Sequence, residues 1–387
     1  MTDVAEKIPA SSETEKAETP PTKAAITLTH LKRALRIVGA AIERKSTIPV
    51  LQSVRIEQLS EGLAIEATNL DIYIRALVAE SGGPANPLLI PAEKFMAWTN
   101  LLSGNDVKLS ATNRSITVQC GRSRAVLPVM SAASWPNNSC YELKGDGITL
   151  RQDALARALR FTLMAVSNEE SRYTINAVLL EGDGKTLKMV ATDGHRMAIY
   201  TLPLDDKISL LMPSRMLKTV MPLLVKDGGV DINYTDKMIL VSIAEEMPVF
   251  IASPKITGTF PNYTAVVPTG KRTEVTVKSG EFLDALVRCD QFSDERSGLV
   301  ILNFEKQITI TSASAANGES EETVDCVGQP DQPVRIGVRA EYLIDIAKRL
   351  DGEIRIALPN DGQSCLLFKA APQEGETLDY IVMPMRM

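Results

Sequence analysis

The 387-residue sequence has few of the residues that build metal sites and disulfides. Two histidines, His30 and His195, are too few for a histidine-built metal centre. The cysteines are far apart and include no C-x-x-C pair, so we predict free thiols rather than a zinc site or a disulfide framework. We therefore predict no metal and no cofactor. The five cysteines are Cys120, Cys140, Cys289, Cys326 and Cys365.

Long apolar runs are also absent. No run approaches the roughly 18 residues of a membrane-spanning helix, so no contact with a membrane is predicted. The N-terminus has no apolar stretch of the kind found in secretory signals, and with reduced cysteines this predicts a cytoplasmic location. At 44% hydrophobic and 23% charged residues, the chain is ordinary globular material with a sizeable core.

Basic residues do not outnumber acidic ones, since the formal net charge is −6. The net charge of the whole chain gives no sign of a nucleic-acid binder, although such a total can hide one basic face of the molecule. Residues 1–25 are rich in Glu, Lys, Thr, Ser and Pro and poor in large apolar side chains. They cannot bury enough surface to offset the entropy of ordering, so we predict a disordered tail. The alternative is an arm that binds a partner.

The sequence does contain one pattern that occurs three times. Ile26-Thr27-Leu28, Ile148-Thr149-Leu150 and Val275-Thr276-Val277 each open an amphipathic helix, 122 and then 127 residues apart. A period of this length is that of a whole domain, so we predict three similar domains. Their predicted ranges are 26–142, 143–270 and 271–387.

Each repeat combines two helices with antiparallel strands. In the first repeat, Leu31, Leu35, Val38 and Ile42 have helical spacing, and alternating strands follow around a turn at residues 60–62. Helical spacing returns at Phe95, Trp98 and Leu102, and in the third repeat at Tyr342, Ile346 and Leu350. In the second repeat, Pro222 predicts an end or kink of the second helix. We predict an α+β fold in which two helices cover antiparallel sheets in each domain. Six such halves can close into a ring only when chains join head to tail.

The predicted helices carry an excess of basic side chains. Acidic residues are concentrated elsewhere, in the tail and near residues 319–325 and 374–379. Such a pattern commonly marks solvated helix faces. The alternative is a basic lining that attracts a phosphate backbone without reading sequence, and the lack of aromatic stacking residues beside it favours a duplex over a single strand. The basic residues are Lys32, Arg33, Arg36, Arg44, Lys45, Lys94, Arg151, Arg157, Arg160, Arg215, Lys218, Lys348 and Arg349.

One short motif, Asp193-Gly194-His195, follows a predicted strand of the second repeat. Asp-Gly is a strong signal for a tight turn. A catalytic interpretation would make His195 a base oriented by Asp193. Because no nucleophile, oxyanion donor or second acid accompanies the pair, a hydrolase is kept only as an alternative, and the chain is predicted not to be an enzyme.

Two motifs together resemble the bacterial sliding clamp family, the beta subunit of DNA polymerase III. Residues 191–197 are similar to that family's Ala-Thr-Asp-Gly-His-Arg-Leu signature, and residues 382–387 to its Val-Met-Pro-Met-Arg-Leu ending. Shorter matches lie at residues 47–51, 121–124 and 260–263. The resemblance extends from about residue 26 to residue 387. It implies the DNA clamp fold, closed into a ring around duplex DNA by a head-to-tail homodimer that has no catalytic activity.

The resemblance also implies partners and a site for them. DNA polymerase III, other polymerases and repair proteins would insert a short peptide motif between the second and third domains, and a clamp loader would open the ring. Met, Pro and Val would form an adaptable apolar pocket, with Arg and His orienting the peptide, although a Met-rich C-terminus is equally compatible with core filling. The implied cleft residues are Ile175, Thr192, Gly194, His195, Arg196, Met197, Pro261, Val266, Tyr342, Val382, Met383, Pro384, Met385 and Arg386. The DNA-facing residues, predicted from charge and resemblance, are Lys32, Arg36, Arg44, Lys45, Arg157, Arg160, Arg172 and Lys218.

The sequence departs from the family pattern at several of these places. Ala265, Arg339 and Cys365 stand where relatives have arginine, asparagine or serine, which predicts a different peptide preference. Ala125 and Gln291 replace bulkier apolar residues at the implied ring contact and bear on dimer strength. Glu169 replaces a neutral DNA-facing residue, while Lys45 and Arg172 keep basic character there. The alternative to a ring is a monomeric peptide-binding or regulatory scaffold.

Overall fold

The structure of the protein, a computed structural model, describes residues 24–80, 83–84, 86–136, 139–143, 145–169, 171–359 and 364–387. The predicted α+β composition is confirmed in this part of the chain. Every strand pairing recorded between its elements is antiparallel. The α-helices are α1 Leu28–Val38, α2 Ala92–Leu101, α3 Gln152–Thr162, α4 Ser214–Val220, α5 Ser279–Asp290 and α6 Ala340–Ala347.

Strands make up most of the remaining regular structure. In chain order they are β1 Ala24–Thr27, β2 Ser53–Leu59, β3 Gly62–Thr68, β4 Tyr73–Val78, β5 Leu88–Pro91, β6 Asp106–Ala111, β7 Ser115–Cys120, β8 Ser123–Pro128, β9 Met130–Ser131, β10 Asp146–Arg151, β11 Ala177–Asp183, β12 Thr186–Thr192, β13 Arg196–Pro203, β14 Lys207–Pro213, β15 Gly229–Tyr234, β16 Met238–Ile243, β17 Val249–Pro254, β18 Glu274–Lys278, β19 Leu299–Phe304, β20 Gln307–Ser314, β21 Gly318–Val327, β22 Val334–Arg339, β23 Glu353–Ala357, β24 Leu366–Ala370 and β25 Thr377–Val382.

The described residues form two compact units. Unit 1 contains the described residues up to Glu66 together with those of Leu77–Trp135. Unit 2 contains Ala67–Ala76 and the described residues of Pro136–Met387, so the second and third predicted domains lie in one unit. The boundaries between the three domains stay a prediction.

Unit 1 has two groups of antiparallel strands. One has the order β1-β6-β7-β8, and the other has the order β3-β2-β5-β9. Helix α1 turns Leu31, Leu35 and Val38 inward, all of them buried, as their spacing along one helix face requires. The outward face of α1 carries Lys32, Arg33 and Arg36.

Unit 2 is built on longer sheets. Strands β10-β15-β16-β17 follow one another, and β17 pairs with residues Tyr73–Ala76 of β4. A second sheet has the order β14-β11-β12-β13-β25-β24-β23-β18-β21-β20-β19-β22. In it, β13 of the second repeat pairs with β25 of the third, with Arg196 opposite Val382. This pairing brings the two sequence motifs side by side.

The structure shows where the predicted helices end and where the N-terminal tail stops. The helix that contains Pro222 was predicted to end there, and α4 does end at Val220, followed by a 3-10 turn over Met221–Leu223. The helices are shorter than spacing suggested, since Ile42, Leu102 and Leu350 lie beyond helix ends. The tail limit was wrong for Ala24 and Ala25, which pair with Leu109 and Lys108, because backbone pairing does not depend on side-chain size. Residues 1–23 lie outside the described residues.

The structure joins none of the five cysteines in a disulfide. Among the described residues, no helix is both long enough and apolar enough to cross a bilayer.

Candidate partner-binding cleft and basic surfaces

The Asp-Gly motif forms the tight turn between β12 and β13. Thr192 Oγ1 donates to the carbonyl oxygen of Arg196 at 2.7 Å and accepts from the Gly194 N–H at 3.1 Å. Asp193 Oδ1 accepts the backbone N–H groups of His195 and Arg196, each at 2.9 Å. Gly194 has a φ of 93°, a conformation that glycine adopts without strain. The Asp193 carboxylate therefore holds the turn together, and the His195 side chain is exposed beside it.

Arg196, at the end of this turn, is held by the protein's own side chains. Its Nε donates to Asp193 Oδ2 at 3.0 Å, and its Nη1 donates to Asp345 Oδ2 on α6 at 2.6 Å. Its guanidinium lies 4.5 Å from the centre of the Tyr342 ring. Burial by itself lowers the pKa of Arg196, but Tyr380, Asp345 and Asp193 raise it on balance, so the group stays charged. Arg196 thus fixes the turn and Tyr342, and its expected role in orienting a peptide stays a prediction.

The C-terminal segment runs beside the same turn. The Met383 N–H donates to the carbonyl oxygen of His195 at 2.9 Å, and the Met385 N–H donates to that of Gly337 at 2.8 Å. A Cβ atom at Gly337 would lie 2.9 Å from Met387 Cγ, so the segment passes close to β22. Val382 is buried, whereas Met383 is 41% exposed. The C-terminal segment therefore lies directly against the turn.

An apolar cluster is buried beside the turn and the C-terminal segment. Ile175 and Met197, both predicted cleft residues, are buried in it with Ile381 and Cys365. Phe260 and Tyr263 belong to the same cluster, and their segment leaves Pro261 and Val266 exposed. Two predicted cleft residues and the segment that carries two more therefore meet at one cluster. Tyr173, 58% exposed and close to Gly258, was not predicted, because no pattern in its neighbourhood marks it.

The turn geometry is not unique in the chain. Thr68 Oγ1 donates to the Ile72 carbonyl at 2.9 Å and accepts from the Leu70 N–H at 3.0 Å. Asn69 Oδ1 accepts the N–H groups of Asp71 and Ile72 at 3.1 and 2.9 Å. Leu70 has a φ of 76°, at the place that Gly194 takes in the other turn. The second copy was missed because Asn-Leu-Asp carries no glycine signal.

In unit 1, predicted DNA-facing residues line a shared pocket of about 640 Å³ between α1 and α2. Lys32, Arg36 and Arg44 line it with Arg33, and its lining includes no acidic residue among the described ones. Lys32 Nζ also donates to the carbonyl oxygens of Asn100 and Leu102 at 3.1 and 2.8 Å, which caps the end of α2. Four basic side chains therefore line this pocket without an acidic one among the described residues.

In unit 2, a pocket of about 390 Å³ is lined by Arg157, Arg160 and three further basic residues, Arg349, Arg355 and Lys369, with Asp351 and Glu353. Arg157, a predicted DNA-facing residue, is also held by two carboxylates: Glu376 accepts its Nε and Nη2 at 3.0 and 2.7 Å, and Asp153 accepts its Nη1 at 3.0 Å.

The other predicted DNA-facing residues, Lys45, Arg172 and Lys218, do not line either pocket. Arg172 pairs with Glu169 at 2.9 Å.

Comparison with known proteins agrees with this arrangement. Residues 22–139, 149–262 and 264–386 match the models of the N-terminal, central and C-terminal domains of the DNA polymerase III beta subunit. The chain belongs to the bacterial sliding clamp family. It is 28% identical over 367 residues to the beta sliding clamp of Haemophilus influenzae, across 92% of this chain and 98% of that protein. To the beta sliding clamp of Caulobacter vibrioides it is 29% identical over 377 residues, with the same coverage.

Solved sliding clamps have the same fold. A crystal structure of a sliding clamp (DNA polymerase III subunit beta) from Pseudomonas aeruginosa bound to griselimycin aligns with a TM-score of 0.87 and 26% identity. The alignment covers 95% of this chain and 100% of that chain. A sliding clamp from Bacillus subtilis, 23% identical with a TM-score of 0.86, shares the fold.

Proposed function

We propose that this protein is a DNA sliding clamp, a ring of two chains that encircles duplex DNA and tethers DNA polymerase III for processive synthesis. The observation that carries the proposal is the pairing of β13 with β25, which sets the signature turn beside the C-terminal segment. The three domain matches and the relatives named beta sliding clamps support it. A closed ring holds DNA by topology, so weak contacts with phosphates suffice and sliding stays possible.

The proposed organisation is three domains, at residues 26–142, 143–270 and 271–387, in a cytoplasmic protein without catalytic activity. The surface where the turn meets the C-terminal segment would take short peptide motifs of polymerases and repair proteins. Apolar side chains with a few fixed polar groups beside them suit such a ligand. Opening of the ring would need a separate clamp loader.

Two strands support a head-to-tail contact between copies of the chain. Strand β8 is the last in the β1-β6-β7-β8 sheet, and Arg122 and Arg124 at its start are exposed. Residues Gly318–Asp325 of β21 pair only with β20 among the described residues, and their exposed side chains include Glu319 and Glu321. A free strand on a basic edge and one on an acidic edge are complementary both in backbone hydrogen bonding and in charge.

The decisive experiment uses DNA topology. Protein loaded by a clamp loader onto nicked circular duplex should stay bound through gel filtration at moderate salt and be released when the circle is linearised. Retention that is unaffected by linearisation would argue for ordinary binding. Light scattering should give a dimer at micromolar concentration, and a persistent monomer of 42.1 kDa would contradict the ring and favour a scaffold.

The peptide site has its own test. A labelled peptide with an apolar motif should bind the full chain, and His195→Ala should weaken binding by about fivefold, since His195 is exposed on the turn. A hydrolase would instead lose turnover. We do not propose a hydrolase, because both oxygens of Asp193 are engaged by backbone N–H groups and Arg196.

A further inference from the structure

A row of three ion pairs and one hydrogen bond to the backbone leaves the signature turn and ends at the unit 2 pocket. Asp193 bonds Arg196, and Arg196 bonds Asp345 Oδ2 at 2.6 Å. Asp345 Oδ1 accepts Arg349 Nη1 at 3.1 Å, and Arg349 Nε donates to the carbonyl oxygen of Arg160 at 3.0 Å. All five residues lie in unit 2, so the row joins the β12–β13 turn to α6 and then to the end of α3.

Each link restrains its neighbour. The side chains of Asp345 and Arg349 are 27% and 28% exposed, and Arg196 is 9% exposed, so the pairs are only partly screened by water. Asp345 is shared between two arginines, one oxygen to each, and the Arg349 pair at an i, i+4 spacing on α6 fixes its rotamer. Asp345 in turn fixes Arg196, which donates to Asp193 and lies against the Tyr342 ring.

The far end of the row lies in a site suited to an anion. Five basic side chains line the unit 2 pocket against two acidic ones. Arg157 and Lys369 form salt bridges with Glu376 and Glu274. Among the described residues Arg160 and Arg355 form no salt bridge within 4 Å, although Glu274 also attracts Arg355 and Arg160 lies over the Phe161 ring. Arg349 uses its Nε and Nη1 in the row. Three guanidinium groups at one pocket can share a phosphate, with their planar forks as donors.

We infer that this pocket binds a phosphate group through Arg160, Arg349 and Arg355, and that Arg349 couples its occupancy to the partner cleft. A bound phosphate draws Arg349 away from Asp345. Asp345 then loses the neighbour that fixes its rotamer, and Arg196 and Tyr342 become less well ordered at the cleft. Phosphate binding therefore weakens peptide binding, and by linkage the peptide weakens phosphate binding by the same factor. The inference rests on the proposed peptide site, whose existence is measured separately, without phosphate.

The test measures affinity for the labelled peptide on the full chain, with and without saturating inorganic pyrophosphate at constant ionic strength. We expect pyrophosphate to raise the peptide Kd by about fivefold, the lower end of ordinary coupling. Arg349→Gln should raise the peptide Kd by a similar factor without pyrophosphate and remove the further change. Titration calorimetry with pyrophosphate, with and without peptide, should give the reciprocal factor.

Two matched variants separate coupling from general damage. Arg355→Gln removes a pocket donor outside the row, so the peptide Kd without pyrophosphate should stay unchanged while the pyrophosphate effect is lost. Arg151→Gln, at the end of β10 and outside the pocket lining, should leave both quantities as in the wild type. If Arg349→Gln does not fold, the Arg355→Gln result still shows whether the pyrophosphate effect depends on this pocket.

The possible outcomes are distinct. An equal pyrophosphate effect in wild type, Arg349→Gln and Arg355→Gln, or no effect in any of them, would overturn the inference. Absence of peptide binding without pyrophosphate would overturn the proposed function instead. A short duplex in place of pyrophosphate identifies the source of the phosphate. If the duplex raises the peptide Kd of the wild type but not that of Arg355→Gln, the phosphate belongs to a nucleic-acid backbone. If only pyrophosphate raises the peptide Kd, the ligand is a free anion.

Discussion

Gly337 shows how one position without a side chain shapes the cleft. Its carbonyl accepts the Met385 N–H, and an added Cβ would lie 2.9 Å from Met387 Cγ, 3.0 Å from Leu299 Cδ1 and 3.3 Å from the Met385 carbonyl oxygen. Met387 is 65% exposed and can move, so alanine should be tolerated. Valine adds methyl groups toward Leu299 and the Met385 backbone, so Gly337→Val should displace the C-terminal segment.

We expect Gly337→Val to weaken peptide binding by about 1.4 kcal/mol, roughly tenfold in Kd, and Gly337→Ala to have a much smaller effect. Fluorescence anisotropy with the labelled peptide measures both. Gly280→Ala is the matched control, because its Cβ would meet nothing within 4 Å. In helix α5 it should leave peptide affinity unchanged and raise the free energy of unfolding by about 0.5–1 kcal/mol. Equal affinity of the valine variant and the wild type would show that the segment does not form the cleft wall.

At the scale of elements, Glu80 ties the end of β4 to the start of α1. Its carboxylate accepts the Thr27 N–H and Oγ1–H, each at 2.8 Å, and contacts His30 Nδ1 at 2.9 Å. Burial alone raises the pKa of Glu80, but these hydrogen bonds lower it on balance. A carboxyl whose pKa is lower in the folded state stabilises the fold above its unfolded pKa of about 4.3, and this stability is lost as the pH falls through the folded pKa.

Glu80→Gln should therefore lower the free energy of unfolding by about 1–2 kcal/mol at pH 7, and the deficit should shrink as the pH falls below about 4. Urea unfolding at pH 7 and at acidic pH measures this difference. Glu61→Gln, on the exposed β2–β3 turn, should change stability little at either pH. A deficit for Glu80→Gln that is the same at both pH values would mean that the charge of Glu80 contributes nothing.

The elements also show what a sequence can predict. Helix α1, the β2–β3 turn and the end of α4 before Pro222 follow from local periodicity and turn chemistry, and they were predicted. The cleft residues were named through a resemblance, since nothing local distinguishes Met383 from core filler. The distant partners of Arg196 and Arg157 were not predictable, because Asp345 and Glu376 are 149 and 219 residues away in sequence. Only the pairing of distant strands brings such carboxylates within reach.

At the scale of the whole molecule, the basic edge at β8 and the acidic edge at β21 make the proposed dimer testable by charge exchange. Arg124→Glu and Glu321→Arg should each weaken the dimer by about 1 kcal/mol, and a chain carrying both should recover most of the loss. Mass photometry during dilution gives the dimer Kd. Lys237→Glu, on the exposed β15–β16 turn, controls for net charge. If the double variant loses as much dimerisation free energy as the two single variants together, these edges do not take part in the dimer contact.

The turn at Thr68–Ile72 has the same four hydrogen bonds as the turn at Thr192–Arg196, yet its third residue is Leu70 instead of Gly194. Because the same bonds form around Leu70 and around Gly194, the Thr and Asx side chains hold this turn and its third residue is free to differ. New side chains at the tip of the Thr68–Ile72 turn therefore offer a route to a clamp with a second specificity.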